Sequence, residues 1–145
     1  MRPKVTYTIN NLKEGLESKI ERLVSKEDIQ NFSNLTQDFH PLHTSPDYAK
    51  ENGFDDIIAH GLLLSSFSSS IIGMELPGDN AIIISQSFIY KKPVYPGTRL
   101  LIKGVINKID TRFSLLEIKI KITSIDNIHL FATGKYSVKV RENKN

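Results

Sequence analysis

The hydrophobic and polar positions change their period along the first third of the chain, and each change predicts an element. Apolar residues alternate loosely with charged ones over residues 16–24, which predicts a half-exposed strand. Over residues 26–36 apolar residues recur every three positions, along one face of a helix. Ser25 and Asp28 resemble a capping box with Asp in the Glu position, so the helix is predicted to begin directly after Ser25.

A second, short helix is predicted from three residues with clear positional preferences. Ser45 is a favoured N-cap, Pro46 suits the first helical position, and Gly53 suits the end of the helix. The stretch between the two helices, residues 37–44, is expected to be irregular.

The rest of the chain predicts one buried helix and a run of strands. Residues 61–74 hold large apolar side chains among serine and glycine, with no charge, which predicts a helix buried on all its faces. Pro77 and Gly78 end it. Strand-like segments follow at residues 81–90, 99–109, 113–125 and 128–140. The last three are expected to form an antiparallel meander, with a tight hairpin at residues 126–127.

A buried helix followed by long antiparallel strands is an α+β arrangement, in which a sheet wraps around a long central helix. The length of 145 residues is close to the commonest size of a single domain, so one domain over residues 1–145 is expected. Residues 1–15 and 141–145 are expected to be peripheral.

Composition and charge exclude several classes of protein. There is no cysteine, which excludes disulfide scaffolds, thiolate zinc sites and a cysteine nucleophile. Lys and Arg outnumber Asp and Glu by 19 to 16, a surplus too small and scattered to predict a nucleic-acid or membrane partner, although a small anionic ligand is compatible. No apolar run has the length of a signal peptide or a membrane span, so a cytoplasmic protein is expected.

The candidate chemistry is concentrated in three histidines, His40, His43 and His60, which lie within 21 residues of one another. Asp38 and His43 flank Pro41 in a short segment that can turn both side chains toward one point, where they can hold and activate water. The alternative is a loop in which the Asp caps a turn and the His is merely exposed. His129 follows a predicted hairpin inside a strand, and no function is assigned to it.

The same region contains residue types that bind metals and a helix start that suits an oxyanion. His40 and His43 share a face only on a helix, which Pro41 makes unfavourable, so no metal site is predicted. His60 and Gly61 open the buried helix, where free backbone N–H groups and the helix dipole suit an oxyanion. The alternative is that Gly61 only permits tight packing.

Three ordered segments, FSNLTQDFHPLHTSPDYA, IIAHGLLLSS and QSFIYKKPVYPGTRL, resemble the MaoC-like, (R)-specific enoyl-CoA hydratases, also called the hydratase 2 family. The resemblance covers nearly the whole chain. It implies a hot-dog fold and a homodimer paired edge to edge. It implies hydration of a trans-2-enoyl thioester, or the reverse dehydration, with no cofactor beyond the coenzyme A or phosphopantetheine of the substrate.

The resemblance also assigns roles to residues. Asp38 and His43 match the catalytic pair, and Gly61 matches the residue whose N–H binds the thioester oxygen. Ser66 matches a serine that lines the acyl pocket, and His60 and His40 are expected at the substrate site. His40 departs from the family pattern, which has Asn there, so a group that titrates replaces a neutral amide.

The sequence leaves two other functions open. A hot-dog domain can be an acyl thioesterase, or a catalytically silent subunit that binds acyl thioesters. The carrier of the acyl group is also open, because coenzyme A and acyl-carrier protein present the same phosphopantetheine arm. Lys91, Lys92 and Arg99 suit either phosphates or an acidic carrier, or form a solvated basic edge.

Overall fold

Five antiparallel strands form one sheet in the computed structural model, which describes residues 5–142. The strands are β1 (Glu17–Leu23), β2 (Ala81–Tyr90), β3 (Arg99–Asp110), β4 (Leu115–Ser124) and β5 (Leu130–Val140). They pair in the spatial order β1-β3-β4-β5-β2. The predicted meander of the last three strands is therefore confirmed, and β2, although it precedes them in the chain, pairs with β5 at the opposite edge from β1.

Five helices precede or separate the strands. They are α1 (Lys26–Thr36), α2 (Pro41–Thr44), α3 (Pro46–Glu51), α4 (Gly61–Phe67) and α5 (Ser69–Met74). The predicted capping box is present at the start of α1, where Ser25 N–H donates to the Asp28 carboxylate at 2.9 Å and Asp28 N–H donates to Ser25 Oγ at 3.0 Å. Ser45 caps α3 by accepting from Tyr48 N–H, and Gly53 has a positive φ of 86° beyond its end, as expected.

Two sequence predictions about the helices are wrong in detail. Residues 37–44 are not wholly irregular, because α2 forms a single helical turn there. Pro41 occupies the first helical position, where the missing N–H has no partner to lose. The helix predicted over residues 61–74 is interrupted at Ser68, whose hydroxyl donates to Ser65 O at 2.6 Å and lies 2.7 Å from Tyr136 Oη on β5.

The central helix is also not buried on all faces. Leu63, Leu64, Phe67, Ile71 and Ile72 face the sheet and are buried, whereas Leu62 and Ser66 are exposed. The close packing depends on a glycine in β3, because a Cβ at Gly104 would lie only 3.0 Å from Cγ2 of Ile71. Small and apolar side chains therefore form one packed face and one open face in this protomer.

The remaining segments refine the sequence picture. The connection between β4 and β5 spans residues 125–129, longer than the tight hairpin predicted, with Asn127 at a φ of 61°. Within the stretch 1–15, Leu12 is buried in the core, while residues 1–4 and 143–145 lie outside the described residues. In the described part of the chain no helix combines the length and the apolar character needed to cross a membrane.

Candidate active site

His43 is fixed by a reciprocal contact between α2 and the segment that leads into α4. Its Nδ1 lies 2.7 Å from Ile58 O, and Ile58 N–H donates to Leu42 O at 3.0 Å. A carbonyl oxygen only accepts, so Nδ1 carries the proton and Nε2 is left as an unprotonated acceptor. The local fold thus presents His43 in the tautomer that can accept a proton at Nε2.

Asp38 stands at the turn between α1 and α2. Gln37 ends α1 in a left-handed conformation with φ 62°, which turns the chain so that Asp38 faces the histidines. Its Oδ1 accepts from His40 N–H at 3.2 Å, and its side chain is 51% exposed. Its other oxygen, Oδ2, lies 4.0 Å from Nε2 of His60, so the half-exposed carboxylate faces the histidine cluster.

His60 is the buried member of the cluster, with only 3% of its surface exposed. Its Nε2 lies 3.2 Å from both Asp38 O and Ser33 Oγ, and its ring stacks on that of His43 with centroids 3.7 Å apart. Because the Asp38 carbonyl only accepts, Nε2 carries the proton. Nδ1 is buried and has no hydrogen-bond partner among residues 5–142. His60 therefore joins the backbone of Asp38 to the ring of His43.

The surroundings of His43 keep it neutral. Burial disfavours the charged imidazolium and lowers the pKa of His43 below its ordinary value of 6.5. The Ile58 carbonyl and the Asp38 carboxylate raise the pKa, and His60 and His40 lower it, but burial is the largest effect and the net shift is downward. His43 is thus ready to accept a proton at neutral pH.

A cleft of about 350 Å³ opens beside His43. The residues that line it include His43, Gly61, Leu64, Tyr90, Lys91 and Lys92. Gly61 is the first residue of α4, where backbone N–H groups have no intrahelical acceptor. A Cβ at Gly61 would lie 2.8 Å from Cε2 of Tyr90, so the glycine allows the Tyr90 ring to pack closely over it. The packing interpretation of Gly61 therefore agrees with the structure, and its binding of an oxyanion stays a prediction.

Of the predicted site residues, Asp38, His40, His60 and Ser66 are not among those that line this cleft. His60 is buried and does not line the cleft, so direct contact with a substrate, as predicted, does not fit its position. His40 is exposed as the N-cap of α2, where its Nδ1 accepts from Leu42 N–H at 3.3 Å, and its ring centroid is 6.0 Å from that of His43. Ser66 lies on the open side of α4, in a second groove beside β2, away from the Asp38–His43 pair.

The cluster brings together side chains that elsewhere hold metals, since Asp38, His43 and His60 each offer a ligand atom within 4.8 Å of the others. Its geometry does not suit a metal ion. The two rings are stacked at 3.7 Å with planes inclined by only 24°, so their in-plane lone pairs lie in separate layers, whereas lone pairs must converge on an ion at about 2.0–2.1 Å. The arrangement suits proton transfer.

Sequence reasoning missed three contributors to this site. Ser33 and Ile58 hold the two histidines, and Tyr90 covers Gly61. Ser33 carries a signal, because it lies four residues after Ile29 on the buried face of α1. Ile58 acts through its carbonyl and Tyr90 through a contact across the fold, and neither leaves a pattern in the sequence.

The chain is similar to known proteins in fold and in sequence. The (R)-hydratase of A. caviae involved in PHA biosynthesis superposes with a TM-score of 0.84 at 28% identity, covering 90% of this chain and 98% of that one. The chain is also 37% identical over 93 residues to an (R)-specific enoyl-CoA hydratase of Rhodospirillum rubrum, which is 64% of this chain and 65% of that protein. A mitochondrial 3-hydroxyacyl-[acyl-carrier-protein] dehydratase of Arabidopsis thaliana is 37% identical over 101 residues, 70% of this chain and 58% of that protein.

The antiparallel sheet packed on α4 and α5, together with this superposition, defines a hot-dog fold. Residues 8–128 match the family model described as a MaoC like domain, and the chain belongs to that family. The matched part spans 58–65% of the length of these curated relatives, less than two thirds. The fold and family expected from the sequence are confirmed.

Proposed function

We propose that this protein hydrates trans-2-enoyl thioesters to (R)-3-hydroxyacyl thioesters and catalyses the reverse dehydration. The observation that carries the proposal is the neutral His43, which lines the same cleft as Gly61, has Nδ1 bound to Ile58 O, and has the Asp38 carboxylate within 4.8 Å. The names of the relatives from R. rubrum and A. caviae support the same activity.

The chemistry follows from a conjugated thioester, whose β-carbon is electrophilic when charge on the carbonyl oxygen is stabilised. Gly61 N–H donates to that oxygen as enolate character develops. His43 Nε2 takes one proton from water, whose oxygen forms a bond to the β-carbon, and Asp38 accepts a hydrogen bond from the remaining O–H. The proton then passes to the α-carbon, so that water has been added from one side and both groups return to their starting state.

The carrier of the acyl group meets the basic part of the cleft. Lys91 and Lys92 line the cleft that contains Gly61, and both suit the phosphates of coenzyme A or an acidic carrier protein. Arg99 lies 4.0 Å from Glu21 and does not line this cleft, so we give it no role in carrier binding. Thioesters of coenzyme A and of acyl-carrier protein are both proposed substrates, and no further cofactor is proposed.

We also propose a homodimer, in keeping with the edge position of β2. Its Ile82, Ile83 and Ile84 are exposed in the single protomer, and an exposed apolar edge strand is a template for pairing with a second copy. A cytoplasmic location remains a prediction from the sequence.

The test is an assay of the purified protein with crotonyl-CoA. Loss of the enoyl-thioester absorbance and formation of (R)-3-hydroxybutyryl-CoA, resolved from the (S) product by chiral chromatography, are expected. A thiol reagent run in parallel distinguishes a thioesterase from a hydratase, because only a thioesterase releases the free thiol of coenzyme A. Thiol release without hydration would replace the proposal by thioester hydrolysis. Binding without either product would indicate a silent acyl-thioester-binding protein.

A further inference from the structure

Two cavities lie on either side of one turn of α4. The cleft beside His43 has a volume of about 350 Å³ and is lined by Gly61, Leu64 and Tyr90. In the single protomer a groove of about 420 Å³ runs between the exposed face of α4 and β2, and Ser65 and Tyr136 line it. Ile83 and Ile84 also line it, and they belong to the proposed dimer edge, so in the dimer a partner protomer would lie beside this groove. Ligand pockets commonly measure about 300–1,000 Å³, so the cleft alone is at the small end of that range.

The side chain of Tyr90 forms the partition between them. Its ring covers Gly61, since a Cβ placed there would lie 2.9 Å from its Cζ. Its hydroxyl then reaches Ser65, where it donates to Oγ at 3.2 Å. Ser65 is a wall of the groove, so this single side chain spans from the cleft to the groove.

The direction of this hydrogen bond is fixed. Ser65 Oγ donates its own proton to Leu62 O at 3.1 Å, so it has only a lone pair to offer Tyr90. The hydrogen bond of the partition therefore runs from the Tyr90 side chain, which is 44% exposed, to an acceptor on Ser65 that is almost fully buried. Tyr90 is the member that moves if the partition opens.

We infer that Tyr90 is a specificity-determining residue, whose hydrogen bond to Ser65 closes the cleft behind the reacting carbons and limits the length of the acyl chain. This inference rests on the proposed function. A four-carbon acyl group ends within the cleft, whereas a longer chain has to displace the Tyr90 hydroxyl to enter the groove beside β2. The bond disfavours long substrates and leaves short ones unaffected.

The test compares kcat/KM for four-, six- and eight-carbon trans-2-enoyl-CoA substrates. Tyr90→Phe keeps the ring over Gly61 and removes the O–H, so the ratio of eight-carbon to four-carbon kcat/KM is expected to rise about two- to tenfold, the range for one hydrogen bond. Ser65→Ala removes the acceptor and is expected to raise the ratio by the same factor. Tyr90→Ala removes the ring as well and is expected to raise it at least about tenfold.

Two features of the design exclude a merely structural effect. The double variant Tyr90→Phe with Ser65→Ala is expected to match either single variant, because both remove the same bond. Tyr95→Phe is the matched control, since the Tyr95 hydroxyl accepts from Asp55 N–H outside the partition, and its chain-length profile is expected to stay that of the parent protein. Parallel profiles for the parent, Tyr90→Phe and Tyr90→Ala proteins would overturn the inference.

Binding separates a failure of this inference from a failure of the proposed function. Calorimetry with saturated butyryl-CoA and octanoyl-CoA measures the same chain-length ratio without turnover. A shifted binding ratio in a protein that hydrates none of the enoyl thioesters would retain the partition and reject the hydratase activity. Hydration with an unshifted binding ratio would retain the hydratase activity and reject the Tyr90 partition. The absence of both binding and hydration would reject the partition and the hydratase activity together.

Discussion

Replacing Gly61 by alanine tests how the same backbone position serves packing and chemistry. The added Cβ would lie 2.8 Å from Cε2 of Tyr90, whereas ordinary van der Waals contact begins at 3.4 Å. The ring must therefore move by about 0.6 Å, the difference between those two distances. It can do so because these atoms belong to the far end of a side chain that is 44% exposed.

The expected change in stability is small. Moving the ring stretches the 3.2 Å bond from Tyr90 to Ser65 and costs about 1 kcal/mol if the bond is lost. Alanine in place of glycine in a helix returns up to about 1 kcal/mol, because it reduces the conformational entropy of the unfolded chain. We expect the free energy of unfolding, measured by urea denaturation, to change by less than about 1 kcal/mol.

The expected change in activity is much larger. The methyl group is added beside the N–H that is proposed to hold the thioester oxygen, and loss of one such donor costs about 10²–10³ in kcat. We expect Gly61→Ala to lower kcat/KM for crotonyl-CoA at least about tenfold. Gly73→Ala in α5 is the control, since nothing lies within 4 Å of its Cβ. Unchanged turnover in Gly61→Ala would refute the role of this N–H.

Two further predictions concern acidity and assembly. The pKa of His43 is lowered in the folded state, so neutral His43 persists below pH 6.5, and the midpoint of the acid limb of kcat/KM is expected below 6.5. Above pH 6.5 His43 is neutral in both the folded and the unfolded chain, so the pKa shift has no effect on the free energy of unfolding. As the pH falls from 6.5 toward the lower folded pKa, the unfolded chain takes up the proton first and the free energy of unfolding decreases. Urea denaturation of His43→Gln across this range is expected to show a weaker dependence. Light scattering is expected to show a dimer that Ile84→Lys on β2 shifts toward the 16.4 kDa monomer, and an unmodified protein that is monomeric at micromolar concentration would contradict the dimer.

The elements of this fold could be predicted where local pattern and tertiary packing agree. The capping box of α1 and the alternation in β3 and β4 are local signals that the structure confirms. The break at Ser68 is different, because its partner Tyr136 lies 68 residues further along the chain. The single turn of α2 does not follow from the sequence pattern, because proline usually breaks a helix, although the first helical position accepts it.

The candidate site was predictable in its chemistry and less so in its arrangement. The Asp38 and His43 pair follows from a short segment of sequence, and the structure brings the two together. The burial of His60 depends on Ser33, which lies 27 residues earlier, and on stacking with His43. The position of His60 before a helix start predicts contact with a substrate. In the fold, His60 instead contacts the backbone of Asp38 and the ring of His43.

The most direct test of the proposed chemistry is the rate of crotonyl-CoA hydration by Asp38→Asn and His43→Gln. Each variant is expected to lose at least about a hundredfold in kcat/KM, as for groups that transfer protons, with its circular dichroism spectrum unchanged. Asp47→Asn makes the same chemical change as Asp38→Asn outside the site and is expected to retain full activity. Near-normal turnover by either Asp38→Asn or His43→Gln would contradict the assignment of this pair as the catalytic groups.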